Sequence, residues 1–173
     1  MTDEIAGVLL AGGLSRRMGG GDKALLTLAG CPLIQRAADR LAPQVTSLIV
    51  NANGDPARFA SLRLPVVPDE TSDFRGPLAG VLAALHWFKR ERPGTRAIAS
   101  VSTDAPFVPR DLVARLDDAL LAHKDARVAV AQSRDRRHHV IGVWRMDAAD
   151  DIERALSRGE RRVETMVDSL RAV

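Results

Sequence analysis

Residues 5–10 of this 173-residue chain, Ile-Ala-Gly-Val-Leu-Leu, carry no polar side chain. A strand with one wet face alternates polar and apolar residues. An unbroken apolar run suits a strand covered on both faces, as in the centre of a parallel sheet packed between helices. The run passes straight into Ala11-Gly-Gly-Leu-Ser-Arg-Arg-Met-Gly-Gly-Gly-Asp-Lys23. Without Cβ bulk at Gly12, Gly13 and Gly19 to Gly21, the backbone there can wrap its amides around a polyphosphate, and Arg16, Arg17 and Lys23 add positive charge. It is not a Walker A loop, because Asp22 precedes Lys23 and Ala24 follows it. Nor is it a dinucleotide fingerprint, because its glycines miss the required spacing.

The rest of the chain alternates in the same way. Helices are expected over 32–41, 77–88, 109–121 and 147–156, with a weaker one over 161–170. A short helix is expected over 55–61. Strands are expected over 46–51, 64–67, 97–101, 128–131 and 139–144, the last two joined by a polar turn. In the helix over 109–121, Leu112, Val113, Leu116, Leu120 and Leu121 are assigned to the core. Pro32 near a helix start is tolerated because the missing amide would have no partner there. This order predicts an α/β fold: a three-layer α/β/α sandwich around a mostly parallel, Rossmann-like sheet.

Apolar residues make up 46% of the chain, which excludes a disordered polypeptide, and aromatics only 3%, so the core must be aliphatic. One cysteine, Cys31, excludes a disulfide framework. The apolar segment over 5–14 is too short to span a bilayer, and Asp3 and Glu4 precede it where a signal peptide would be basic. A cytoplasmic protein without membrane attachment is expected. The net charge of +3 suits an anionic small ligand. Its spread along the chain, with few aromatics, argues against nucleic acid. The dense cluster over Arg134 to His139 is assigned to the solvated turn between two strands.

Candidate chemistry gathers where strands end. Asp104, in Ser100-Val-Ser-Thr-Asp-Ala-Pro-Phe-Val-Pro109, follows a buried strand, which puts its carboxylate in the sheet crevice as a candidate Mg²⁺ ligand. Its other reading, a cap for the helix over 109–121, places it several residues too early. Asp69, in Val66-Val-Pro-Asp-Glu70, is a second strand-end carboxylate that could hold the metal or orient a nucleotide, or be an ordinary loop aspartate. Asn51 could bond a ribose or a base edge, while Asn53-Gly54 suits a turn. Gly76-Pro-Leu-Ala-Gly80 offers a close backbone approach at a helix start. Cys31 is an ordinary small residue on this reading, and His138 and His139 are either ligand contacts or solvated strand residues. Phosphoryl transfer between bound substrates needs no protein nucleophile.

Taken together, Leu10-Ala-Gly-Gly13, Arg17-Met-Gly19 and Asp22-Lys23 resemble the signature of the molybdenum cofactor guanylyltransferase family, within the nucleotidyltransferase superfamily. The resemblance runs through Asn51-Ala-Asn53, Pro68-Asp69, Gly76 to Gly80, Asp104 with Pro106, His139 to Trp144 and Gly159-Glu-Arg-Arg-Val163. It implies an enzyme using Mg²⁺ and GTP to add GMP to the terminal phosphate of molybdopterin or its molybdenum-loaded form, with pyrophosphate leaving. Carried over by motif, Leu10, Ala11, Gly12 and Gly13 contact guanine and ribose, and Arg17 and Lys23 hold the phosphates. Asn51 and Asp69 hold the nucleoside, and Asp104 the Mg²⁺. The pieces over 134–142 and 159–162 face the pterin. It also implies molybdenum-insertion and molybdoenzyme maturation proteins as partners, and a monomer or weak homo-oligomer.

Two departures from the family pattern stand out. Ser102-Thr-Asp104 replaces a proline-cysteine-aspartate segment, keeping the carboxylate. The chain is also expected to form a single nucleotidyltransferase domain over 1–173 that lacks the family's C-terminal strand and helix. The competing functions are a related cytidylyltransferase, a sugar-phosphate nucleotidyltransferase, or a GTP-binding module without turnover. The second glycine of Leu10-Ala-Gly-Gly13 favours guanine over cytosine.

Overall fold

The computed structural model describes residues 4–12, 23–70, 76–160 and 162–173. Strands β1 (Glu4–Leu10), β4 (Leu48–Asn51), β5 (Val66–Val67) and β6 (Thr95–Ser102) are mutually parallel, and the hairpin of β7 (Val128–Ser133) and β8 (Arg136–Arg145) completes a six-stranded sheet. Its order is β5-β4-β1-β6-β8-β7, with β8 antiparallel to both neighbours. A separate two-stranded ribbon, β2 (Thr27–Leu28) with β3 (Cys31–Pro32), turns through Ala29 and Gly30, both at positive φ. Cys31 is half-buried in that ribbon, an element the apolar pattern alone does not announce.

Alternation along the buried strands feeds two cores. Ala6, Val8 and Leu10 of β1, with Ile98 of β6, pack under α2 (Pro77–Glu91), α4 (Ala148–Ser157) and α5 (Val163–Ser169). Leu9, Ala97, Ala99 and Val101 face the other way, under α1 (Leu33–Leu41) and α3 (Leu112–Ala122). The apolar run of β1 is thus read by both layers, as a doubly covered strand requires. The chain leaves β1 for β4 on one side and returns to β6 on the other, so the sheet's switch point lies beside β1.

Three expectations need correction. Leu121 is 51% exposed rather than buried. At 100° per residue it lies about 180° around the helix from Leu112, so it cannot share that face. The polar turn is only Arg134-Asp135, and Arg136 to His139 belong to β8. The third parallel strand shortens to Val66–Val67.

The β7–β8 hairpin contains the irregularity that makes room for a ligand. Val130 pairs with Gly142, but Ala131 pairs with His138, leaving His139, Val140 and Ile141 bulged between. Pairing of β8 with β6 stops at Ser100–Gly142. The bulge is held at one point: Ser100 Oγ donates to the Val140 carbonyl at 2.8 Å and accepts from the buried Trp144 Nε1 at 2.7 Å. Beyond it the hairpin leaves β6, and a groove opens between them.

Candidate active site

Register alone assembles the site. Leu10 is opposite Asn51 on one side and Ser102 on the other, and Asn51 is opposite Val67. Four parallel strands therefore end in one row, and the residues just past each end, Gly12, Asn53, Asp69 and Asp104, emerge on the same rim of the sheet. Rims of this kind, at the carboxyl ends beside a switch point, are where open α/β sheets bind ligands.

Two hollows share this rim. The smaller, about 210 Å³, is lined by Leu10, Gly12, Asn51, Asp69, Gly76 and Pro77 among others. The larger, about 970 Å³, runs from Asp104 past Phe107 to Arg136, His138 and Arg162. Ser102 and Val140 line both, so they form the threshold between them.

An amide–carboxylate lattice builds the smaller hollow. Asn51, buried at 3% exposure, donates through Nδ2 to the Val67 carbonyl at 3.1 Å and to Asp69 Oδ1 at 3.0 Å. Asn53 Nδ2 donates to Asp69 Oδ2 at 2.8 Å, and its Oδ1 accepts from the Asp69 amide at 2.8 Å. Both Asp69 oxygens are therefore engaged, which fixes the carboxylate as an oriented acceptor. Gly80 of α2 packs against this lattice rather than facing the hollow: a Cβ there would fall 2.1 Å from Asn51 Oδ1. Gly76 lines the hollow at φ 113°, a conformation that favours glycine, and caps α2 so that the helix start points inward. Glu70, one residue on, is tied to His86 of α2 at 2.7 Å.

At the threshold, Lys23 Nζ donates to Asp104 Oδ2 at 3.0 Å and Ser102 Oγ to Asp104 Oδ1 at 2.5 Å. Buried Ala24 anchors the short turn Lys23–Leu25 that carries the lysine. Partial burial pushes the Asp104 carboxyl up, but the Ser102 hydrogen bond and the Lys23 ammonium together outweigh it and hold the group below its usual value. Asp104 is thus a carboxylate kept ionised yet 52% exposed. Among the described residues no three His, Cys, Asp or Glu side chains converge as a metal cage. A single open carboxylate fits a hard cation that takes its remaining ligands from phosphate and water.

Of the residues expected from sequence, Leu10, Gly12, Asn51 and Asp69 come together around the smaller hollow, while Asp104 lines the larger groove, paired with Lys23 and bonded to the shared residue Ser102. Ala11 points into the core on the α1 side, leaving only its backbone for a ligand. Gly13 and Arg17 lie outside the described residues. Asn53, Ser102 and Gly80 are site-building residues that the sequence reading missed or assigned otherwise. The signal available for the first two was their place one or two residues from a strand end already singled out.

From residue 7 to residue 173 the sequence matches the MobA-like NTP transferase domain. The chain belongs to that family. Among its relatives, a molybdenum cofactor guanylyltransferase of Nitrobacter hamburgensis is 50% identical over 165 residues, covering 94% of this chain and 78% of that protein. One from a Bradyrhizobium species is 51% identical over 155 residues, covering 90% and 73%. The solved structure of molybdopterin-guanine dinucleotide biosynthesis protein A from Archaeoglobus fulgidus superposes with a TM-score of 0.76 at 22% identity, over 97% of this chain and 81% of that one. The MobA-like fold accounts for the mostly parallel six-stranded sheet. Among the described residues of this family member, no helix is long and apolar enough to cross a membrane.

Proposed function

We propose that the chain transfers GMP from GTP to the terminal phosphate of molybdopterin or its molybdenum-loaded form, releasing pyrophosphate and forming a guanine dinucleotide. The family and its half-identical relatives, named as molybdenum cofactor guanylyltransferases, support this reading. The carrying observation is that Asp104, in the lining of the larger groove, is held by Lys23 and by Ser102, a residue that lines both hollows. A transferase that joins two bound molecules needs its charge-handling groups between them.

The nucleoside occupies the smaller hollow, where Asn51 and Asn53 hold Asp69 as an acceptor for base or ribose, and Leu10 and Gly12 give close contact. The triphosphate runs toward Lys23, joined by Arg17 from the glycine-rich loop. The acceptor lies in the larger groove with its phosphate at Asp104. An oxygen of that phosphate attacks the α-phosphorus of GTP, a new P–O bond forms, and the bond to the β-phosphate bridging oxygen breaks, so that pyrophosphate leaves with the electron pair. Lys23 neutralises charge on the phosphates, and positioning does most of the work. Asp104 would hold Mg²⁺, which when bound would supply neutralisation of phosphate charge. We place this enzyme in the cytoplasm.

Pyrophosphate release measured across the four nucleoside triphosphates, with and without molybdopterin and Mg²⁺, tests the reading. Release is expected with GTP only when both acceptor and metal are present. A preference for CTP would assign the chain to cytidylyl transfer. GTP binding without release would assign it to a module lacking turnover.

A further inference from the structure

Phe107 is 62% exposed, the most exposed of the large apolar side chains among the described residues. Its exposure is imposed by the chain around it. Val108, next in sequence, is 5% exposed and anchored in the core, while Pro106 and Pro109 stiffen the segment on both sides. The ring therefore stands in water on a braced loop, which is unfavourable unless something covers it. It lines the larger groove and not the smaller hollow. Across that groove stands the hairpin with Arg136, for which no ion pair occurs among the described residues, and with His138, tied to Ser133 at 2.7 Å. Only Ala105 and Pro106 lie between Asp104 and Phe107, so the two positions are at most about 11 Å apart along the chain. That span suits an acceptor whose reacting phosphate and planar ring lie at opposite ends.

We propose that Phe107 is a specificity-determining residue that stacks on the fused ring of the acceptor while the acceptor's phosphate reaches Asp104. The inference rests on the acceptor reading above. Face-to-face or offset contact with an aromatic side chain is a sequence-tolerant way to hold a planar heterocycle, and a braced ring loses little freedom in doing so. The pair of jaws, an aromatic face on one side and Arg136 on the other, would select planar anionic acceptors over sugar phosphates of similar charge.

The test is steady-state kinetics of Phe107→Ala, Phe107→Leu and Phe107→Tyr with GTP and molybdopterin, each variant first checked for an unchanged thermal midpoint. The alanine variant is expected to raise the KM for molybdopterin about ten-fold, in line with the loss of one base–aromatic stack. Its KM for GTP should stay within about two-fold of wild type, the scatter expected of a residue outside the nucleoside hollow. Tyrosine should restore wild-type behaviour and leucine should not, because leucine keeps the bulk and loses the ring. An unchanged acceptor KM in the alanine variant, full rescue by leucine, or an equal rise in both KM values would overturn the inference while leaving guanylyl transfer intact. A wild-type chain that transfers no GMP to molybdopterin would overturn the acceptor reading and this inference together.

Discussion

Asp104→Asn is expected to lower the rate of GMP transfer by about 100- to 1,000-fold, the cost typical of removing one electrostatic contributor to a transition state, while leaving the thermal midpoint nearly unchanged. The substitution keeps the shape and the Ser102 contact but removes the charge that faces Lys23. Stability should barely respond, since lysine and aspartate are 44% and 52% exposed and such pairs contribute less than about 1 kcal/mol. The pH dependence has a definite sign. Because the folded carboxyl is held below its ordinary value, Asp104 stays ionised to lower pH than a free aspartate does. Its small stabilisation is present above the ordinary value and is lost as pH falls through the folded one. Parallel kinetics and melting curves check both halves. An asparagine variant with wild-type turnover would remove Asp104 from the chemistry.

The second large effect is expected from a methyl group. Gly80→Ala should raise the KM for GTP by about ten-fold or more and destabilise the fold by about 1–3 kcal/mol, the usual range for overpacking. On propensity alone alanine should stabilise a helix interior by about 1 kcal/mol. Here its Cβ would sit 2.1 Å from Asn51 Oδ1 and 3.1 Å from Leu10 Cδ2. The Asn51 amide must move, breaking its bonds to the Val67 carbonyl and to Asp69 together. Asp69 would then keep only Asn53 to orient it. The opposing signs make the measurement decisive: a stabilised variant with normal GTP affinity would mean that the Asn51–Asp69 lattice is irrelevant to nucleotide binding.

Local sequence predicted the sheet better than the site. β1 was legible because an unbroken apolar run has one good structural solution, and β6 because Ala97 to Val101 is apolar but for Ser100; the two cores follow from their alternation. Asp104 and Asp69 were legible as strand-end carboxylates. What local pattern does not carry is register. That Leu10, Asn51, Val67 and Ser102 end level depends on long-range pairing, and only then does Asn53 become a partner of Asp69 instead of a turn residue. Gly80 shows the same limit: its position suggested approach to a ligand, whereas its missing side chain makes room for Asn51. The bulge over His139–Ile141 was invisible because Arg136 to His139 look like solvated turn residues by composition. The hydrogen bonds of Ser100 with Val140 and Trp144 join residues 40 or more apart in sequence.

Nucleotide and acceptor should meet where Ser102 joins the two hollows, beside the Lys23–Asp104 pair. A crystal structure with a non-hydrolysable GTP analogue and Mg²⁺ is expected to show the nucleoside beside Leu10, Asn51 and Asp69, the metal on Asp104, and the α-phosphate opening toward the groove of Phe107. Nucleoside density in that larger groove, or a triphosphate directed away from Asp104, would contradict it.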